Sequence, residues 1–155
     1  MASSIEERLT DLGLELSLPP AAVANYVPVM RDGPMLYVSG QIPVQEGGVV
    51  YQGCLGTDVD LETGIRAARL CAINVLAQVK AEIGDLEKIQ QCIRLGGFIS
   101  SSESFYDHAK VMNGASDLMV SVLGERGRHC RAAVGCSSLP LNSAVEVEAL
   151  FRVVE

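Results

Sequence analysis

The chain has no run of about 20 apolar residues, the length an α-helix needs to cross a bilayer. It also lacks a basic start followed by a short apolar segment, the pattern of a secretory leader. Neither a membrane span nor secretion is therefore expected, and the location is expected to be cytoplasmic. Positive charge is scarce: 12 Lys and Arg stand against 19 Asp and Glu, a net charge of −7. Nucleic-acid affinity rests on clustered Lys and Arg that neutralise phosphates, so a nucleic-acid surface is not expected. The five cysteines, Cys54, Cys71, Cys92, Cys130 and Cys136, are odd in number and contain no CxxC pair. That argues against a disulfide framework and against a zinc site, and leaves buried thiols as the expectation. The only two histidines, His108 and His129, form no short metal motif with those cysteines, and adjacent His129 and Cys130 diverge on a strand. No metal is expected, and His129 is assigned a structural role.

What is present is a well-stocked core. Hydrophobic residues make up 48% of the chain and charged residues 20%, over 155 residues. This fits one domain spanning 1–155, with residues 1–20 as an N-terminal extension carrying a short helix. Ser4 and Glu7 form a possible capping box for that helix, which runs to Leu12, and Pro19-Pro20 then enforces extended backbone, where the core fold is expected to begin. Tyr26 to Met30 and Met35 to Pro43 read as strands flanking an Arg31-Asp32-Gly33 turn, and Gly47-Gly48 marks a second turn before Val49 to Tyr51. Leu61, Ile65, Ala68, Ala72, Val75, Val79 and Ile83 recur at helical spacing between Asp60 as N-cap and Gly84 past the end. A strand over Ile89 to Ile99, a second helix from Phe105 to Gly124 and a strand from Arg131 to Cys136 follow.

The last segment is the most informative. Val145, Val147, Ala149, Phe151 and Val153 alternate with Glu146, Glu148, Leu150 and Arg152, so in an extended strand the first set lines one face and the second the other. The apolar face belongs to a core. The opposite face carries two carboxylates but also Leu150, with Val154 following, and a face of that mixture is expected to be covered, for instance by a second copy of the chain. The order of elements suits an α+β fold with a mixed sheet and both helices on one face.

Four features together resemble the RidA/YjgF-like, or reactive intermediate deaminase, family. They are the run Leu36-Tyr37-Val38-Ser39-Gly40-Gln41-Ile42-Pro43, Arg131 near the start of a late strand, Leu139-Pro140 eight residues after it, and Glu146 fifteen residues after it. The resemblance covers nearly the whole chain. It implies a chorismate-mutase-like α+β fold assembled as a homotrimer with ligand sites in the clefts between subunits. The implied activity is cofactor-free hydrolysis of reactive 2-imino and enamine acids, such as 2-aminoacrylate or 2-iminobutanoate, to 2-keto acids and ammonia.

By the resemblance, Arg131 pairs with the substrate carboxylate, a task suited to its planar two-pronged guanidinium. Glu146 activates water as general base, and the fifteen-residue offset selects it over Glu148, which is left a structural role. Tyr26 lies thirteen positions before Ser39, the family spacing, and would shape the pocket; Ser39 and the Gly40 backbone would contact the ligand. Asn113 aligns with a family asparagine at the site with one extra residue of spacing. Taken alone, each has a plainer reading: a structural ion pair for Arg131, an exposed strand carboxylate for Glu146, core packing for Tyr26 and a solvent-facing helix residue for Asn113.

The chain departs from the family at Ala133, on the strand face of Arg131, where a Cys or Thr is usual; its backbone N–H alone could serve there. With the unusual Gly127-Arg128-His129-Cys130 lead-in this marks a divergent subgroup. Two other readings stay open. One is a non-catalytic trimer that binds small carboxylates as a sensor or partner modulator. The other, ribonuclease or translation inhibition, follows from family labels and is disfavoured by the acidic balance.

Overall fold

A computed structural model describes residues 3–19 and 24–155. Pro20 of the Pro19-Pro20 pair falls outside them. Helix α1 (Ile5–Asp11) carries the full capping box, with the Ser4 side chain accepting from the Glu7 N–H and the Glu7 carboxylate accepting from the Ser4 N–H. Contrary to expectation, the packed core does not wait for Pro19-Pro20. Ile5 and Leu9 are buried members of the main hydrophobic cluster, and the Glu87 carboxylate accepts from the Ile5 N–H, so α1 is docked rather than appended.

Strands β1 (Val29–Asp32) and β2 (Met35–Gln41) form a hairpin, but its turn is Gly33-Pro34, because Arg31 and Asp32 pair with Leu36 and Met35. Gly33 supplies φ +57, which a side chain would resist, and Pro34 has no N–H to lose from the ladder. Tyr26 therefore precedes the strand instead of opening it, since Pro28 interrupts the ladder before Val29. The next hairpin, β3 (Val44–Gln45) with β4 (Gly48–Val49), turns at Glu46-Gly47, both with positive φ, one residue earlier than Gly47-Gly48.

Helix α2 (Leu61–Ile83) has the expected ends: Asp60 accepts from the Thr63 N–H at 2.8 Å, and Gly84 stops it at φ +78. Strand β5 (Ile89–Ser100) leads to α3 (His108–Leu123), which begins after Phe105 because the Phe105 N–H is held by the Ser102 carbonyl in a turn. Strands β6 (Cys130–Cys136) and β7 (Val145–Val153) complete a five-stranded sheet in the order β1-β2-β7-β5-β6. Only β5 and β6 run parallel, joined by the α3 crossover that parallel neighbours need.

Val145, Val147, Ala149, Phe151 and Val153 are all buried, and α2 and α3 pack on this face and on each other. Both long helices thus cover one face, as expected. The other face is open and mixed. Met30 is 57% exposed, Tyr37 49% and Val134 47%, with Glu146, Glu148 and Leu150 half-buried among them. The Glu148 carboxylate lies 3.5 Å from Arg94 and its chain crosses Gly96, which fits its structural assignment.

The expectation of buried thiols holds for Cys71 and Cys92 only; Cys130 is exposed, and Cys54 and Cys136 are intermediate. Cys130 is exposed because it sits on the edge strand β6, paired with Arg94 on the open face. No helix among the described residues is long and apolar enough to cross a membrane.

Candidate functional site

Glu146 is set by the alternation of β7, which buries Val145 and Val147 and turns the carboxylate to the open face beside Phe98. A bulge in β2 between Val38 and Gln41 brings Gly40 against it. A Cβ on Gly40 would stand 2.3 Å from Glu146 Oε1, so a larger residue there would push the carboxylate out of this position. The side chain is half-buried. Burial first, and the Glu148 charge second, raise its pKa above the usual glutamate value. A carboxylate shielded in this way has the basicity that proton abstraction from water calls for.

Ser39 and Tyr26 join this group. The Ser39 hydroxyl donates to the Val27 carbonyl at 3.0 Å, and the Ser39 N–H donates to the Pro28 carbonyl at 2.9 Å, so the segment carrying Tyr26 is tied to β2 beside Gly40. Tyr26 itself is 55% exposed, not core-packed. The commitment of the Ser39 proton to Val27 has a chemical consequence. In this rotamer Ser39 offers lone pairs, which suit an imine or amine N–H and not a carboxylate.

Arg131 sits elsewhere. It shares a cross-strand row with Leu95 and Ala149, both on the helix side of the sheet, and reaches α3: Nη1 donates to Ser116 Oγ at 3.0 Å and Nη2 to the Ala109 carbonyl at 3.1 Å. Asn113 is exposed on the same α3 stripe, four residues after Ala109 and three before Ser116, so it belongs with Arg131. Ala133 shares Arg131's side of β6 and packs, partly buried, against the core. No hydroxyl or thiol replaces the missing polar side chain at that position.

The candidates thus divide into two half-sites. Tyr26, Ser39, Gly40 and Glu146 gather on the open face, and Arg131, Asn113 and Ala133 on the helix side of the edge strand. Strand β5 separates β6 from β7, about 10 Å of backbone spacing. Because the sheet itself also lies between the two groups, one small ligand cannot touch Arg131 and Glu146 of a single chain.

The histidines are not partners of each other. His108 Nε2 lies 3.1 Å from Ser101 Oγ and its ring meets Phe105 edge to face, whereas His129 contacts Ser116 and Gly127. Among the described residues no three His, Cys, Asp or Glu side chains converge as a metal set. Ser116 is the site residue the sequence did not single out. Its signal was available only in retrospect, as the third member of the Ala109, Asn113, Ser116 stripe.

A family model described as "YjgF/chorismate_mutase-like, putative endoribonuclease" matches residues 6–153. The chain belongs to this family. Protein TCP17 of Trypanosoma cruzi is 43% identical over 150 residues, covering 96% of this chain and 94% of that protein. The crystal structure of Atu1372 from Agrobacterium tumefaciens is similar at 50% identity and a TM-score of 0.92, over 97% of this chain and 92% of that one. Escherichia coli TdcF, solved with bound serine, is more distant at 26% identity and a TM-score of 0.63, over 89% and 94%. The mixed sheet with its helices is the YjgF/chorismate-mutase-like fold, and this YjgF-like chain keeps it from α1 to β7.

Proposed function

We propose that this protein is a homotrimeric hydrolase of small, reactive 2-imino acids, which it converts to 2-keto acids and ammonia in clefts between its subunits. The observation that carries the reading is the division of the site. Each chain presents an open sheet face with a shielded carboxylate and, on its far edge, an arginine held by α3. Two copies placed open face to edge would bring one chain's Arg131 opposite its neighbour's Glu146. The uncovered Met30, Tyr37, Val134 and Leu150 supply an apolar surface for that contact.

In such a cleft Arg131 would hold the carboxylate, leaving the imine carbon toward Glu146 and Gly40. Glu146 would take a proton from water as the water oxygen bonds to that carbon. The imine nitrogen would take that proton from Glu146 to give the carbinolamine. As the C–N bond then breaks, the carbinolamine O–H proton would pass through Glu146 to the departing nitrogen, leaving the ketone and ammonia. Ser39, an acceptor here, would receive the imine N–H. The serine bound to TdcF is likewise a small molecule with a carboxylate and a nitrogen on one carbon.

The experiment is the rate of ammonia or keto-acid release when threonine dehydratase generates the imine in the presence of the purified protein. Acceleration is expected, and an unchanged rate overturns the proposal. Ala133 favours a second reading, a non-catalytic binder of 2-keto acids, because it puts no thiol or hydroxyl on the strand two residues after Arg131. That reading predicts binding by calorimetry with turnover at background. The ribonuclease activity in the family description finds little support in a chain of net charge −7.

A further inference from the structure

Arg131 is the terminus of a directed hydrogen-bond chain. His129 Nδ1 lies 2.6 Å from the Gly127 carbonyl, which can only accept, so Nδ1 carries the imidazole proton. In the neutral ring Nε2 is then a lone pair, and it lies 2.8 Å from Ser116 Oγ. The single Ser116 proton goes to His129, which turns the hydroxyl's lone pairs toward Arg131 Nη1 at 3.0 Å. Every step has one polarity: Gly127 fixes the ring, the ring fixes the hydroxyl, and the hydroxyl fixes the guanidinium. The second anchor, from Nη2 to the Ala109 carbonyl, lies on the same face of α3.

We propose that Ser116 and His129 are positioning residues for carboxylate recognition, holding the Arg131 guanidinium in place before ligand arrives. This rests on the reading that Arg131 binds the substrate carboxylate. An arginine on an edge strand has many rotamers, and freezing them in advance lowers the entropy lost on binding. Without the imidazole acceptor, the Ser116 proton is free to turn to the helix carbonyl four residues back, as serines in helices commonly do. The guanidinium then loses a directed partner. The His129 that precedes the site arginine thereby does, through Ser116, orienting work that the aliphatic Ala133 on the same strand cannot do.

The test is calorimetric binding of 2-oxobutanoate together with a kcat and KM split in the coupled imine assay. Ser116→Ala and His129→Leu are expected to weaken Kd and raise KM by about ten- to a hundredfold, the size of one hydrogen bond to a charged group, with kcat nearly unchanged. Ser116→Thr, which keeps the hydroxyl, and His129→Gln, which keeps an acceptor, should stay within about twofold of wild type. A merely structural role would lower kcat or the unfolding temperature and leave Kd of the folded fraction unmoved. If Arg131→Ala abolishes binding while Ser116→Ala and His129→Leu bind like wild type, the positioning proposal is overturned and the carboxylate reading survives. If Arg131→Ala binds like wild type, both fall.

Discussion

Glu146→Gln is expected to lower imine turnover by about 10²- to 10⁴-fold, the usual contribution of a positioned general base, while 2-oxobutanoate binding stays close to wild type. The substitution keeps the volume over Gly40 and removes only the basicity. It is also expected to stabilise the fold at neutral pH. Burial, then Glu148, raise the Glu146 pKa, so between the unfolded and folded values the native state holds more protons than the unfolded chain. Stability conferred by the protonated form is therefore fully present below the unfolded pKa, about 4.3 for glutamate, and is lost as pH rises through the folded value. Thermal unfolding should place Glu146→Gln above wild type at pH 7 and converge with it near about pH 4. An equal difference at both pH values would contradict the raised pKa of Glu146.

Arg131→Ala is expected to have the opposite signature. Removing one partner of a shielded charge pair costs about 2–5 kcal/mol, so Kd for 2-oxobutanoate should weaken at least about thirtyfold. The fold should be nearly unaffected, because the residue is half-buried and its partners, Ser116 Oγ and the Ala109 carbonyl, stay accessible to water. Calorimetry and kinetics on the two variants together separate a binding group from a base: one loses ligand, the other loses turnover. Retained affinity in Arg131→Ala would return that residue to a structural pairing with α3.

Much of this molecule is legible in its residues because local rules and tertiary structure agree. The alternation of β7 foretells both its faces, and the α2 stripe with Asp60 and Gly84 fixes a helix to within a residue. The misjudged points are those where two local signals compete. Gly33-Pro34 takes the first turn from Arg31-Asp32-Gly33 because pairing of Asp32 with Met35 is worth more than a nominal turn residue. Phe105 fits the α3 periodicity but is claimed by a preceding turn, and Ile5 and Leu9 look like a loose extension until α3 is there to receive them.

The candidate residues are legible in the sequence as a set and not as a geometry. Arg131, Glu146, Ser39 and Gly40 announce themselves by spacing, yet spacing does not state that β5 lies between β6 and β7. Nor does it say that Arg131 and Glu146 fall on opposite sides of the sheet. Ser116 stays unmarked because its helical spacing from Ala109 and Asn113 does not say what that stripe faces. Only the packing of α3 on β6 delivers it to Arg131.

That division of the site yields the most direct measurement. Purified Arg131→Ala and Glu146→Gln chains, each strongly impaired at low substrate, are unfolded together in equal amounts, refolded and assayed for imine hydrolysis at that substrate level. In a trimer whose every cleft takes its arginine from one copy and its glutamate from the next, random mixing leaves about one cleft in four with both groups intact. About a quarter of wild-type activity should therefore return, from two proteins that have at most a few per cent of it apart. No recovery from a mixture shown to contain mixed trimers would contradict the shared cleft and the account of function built on it.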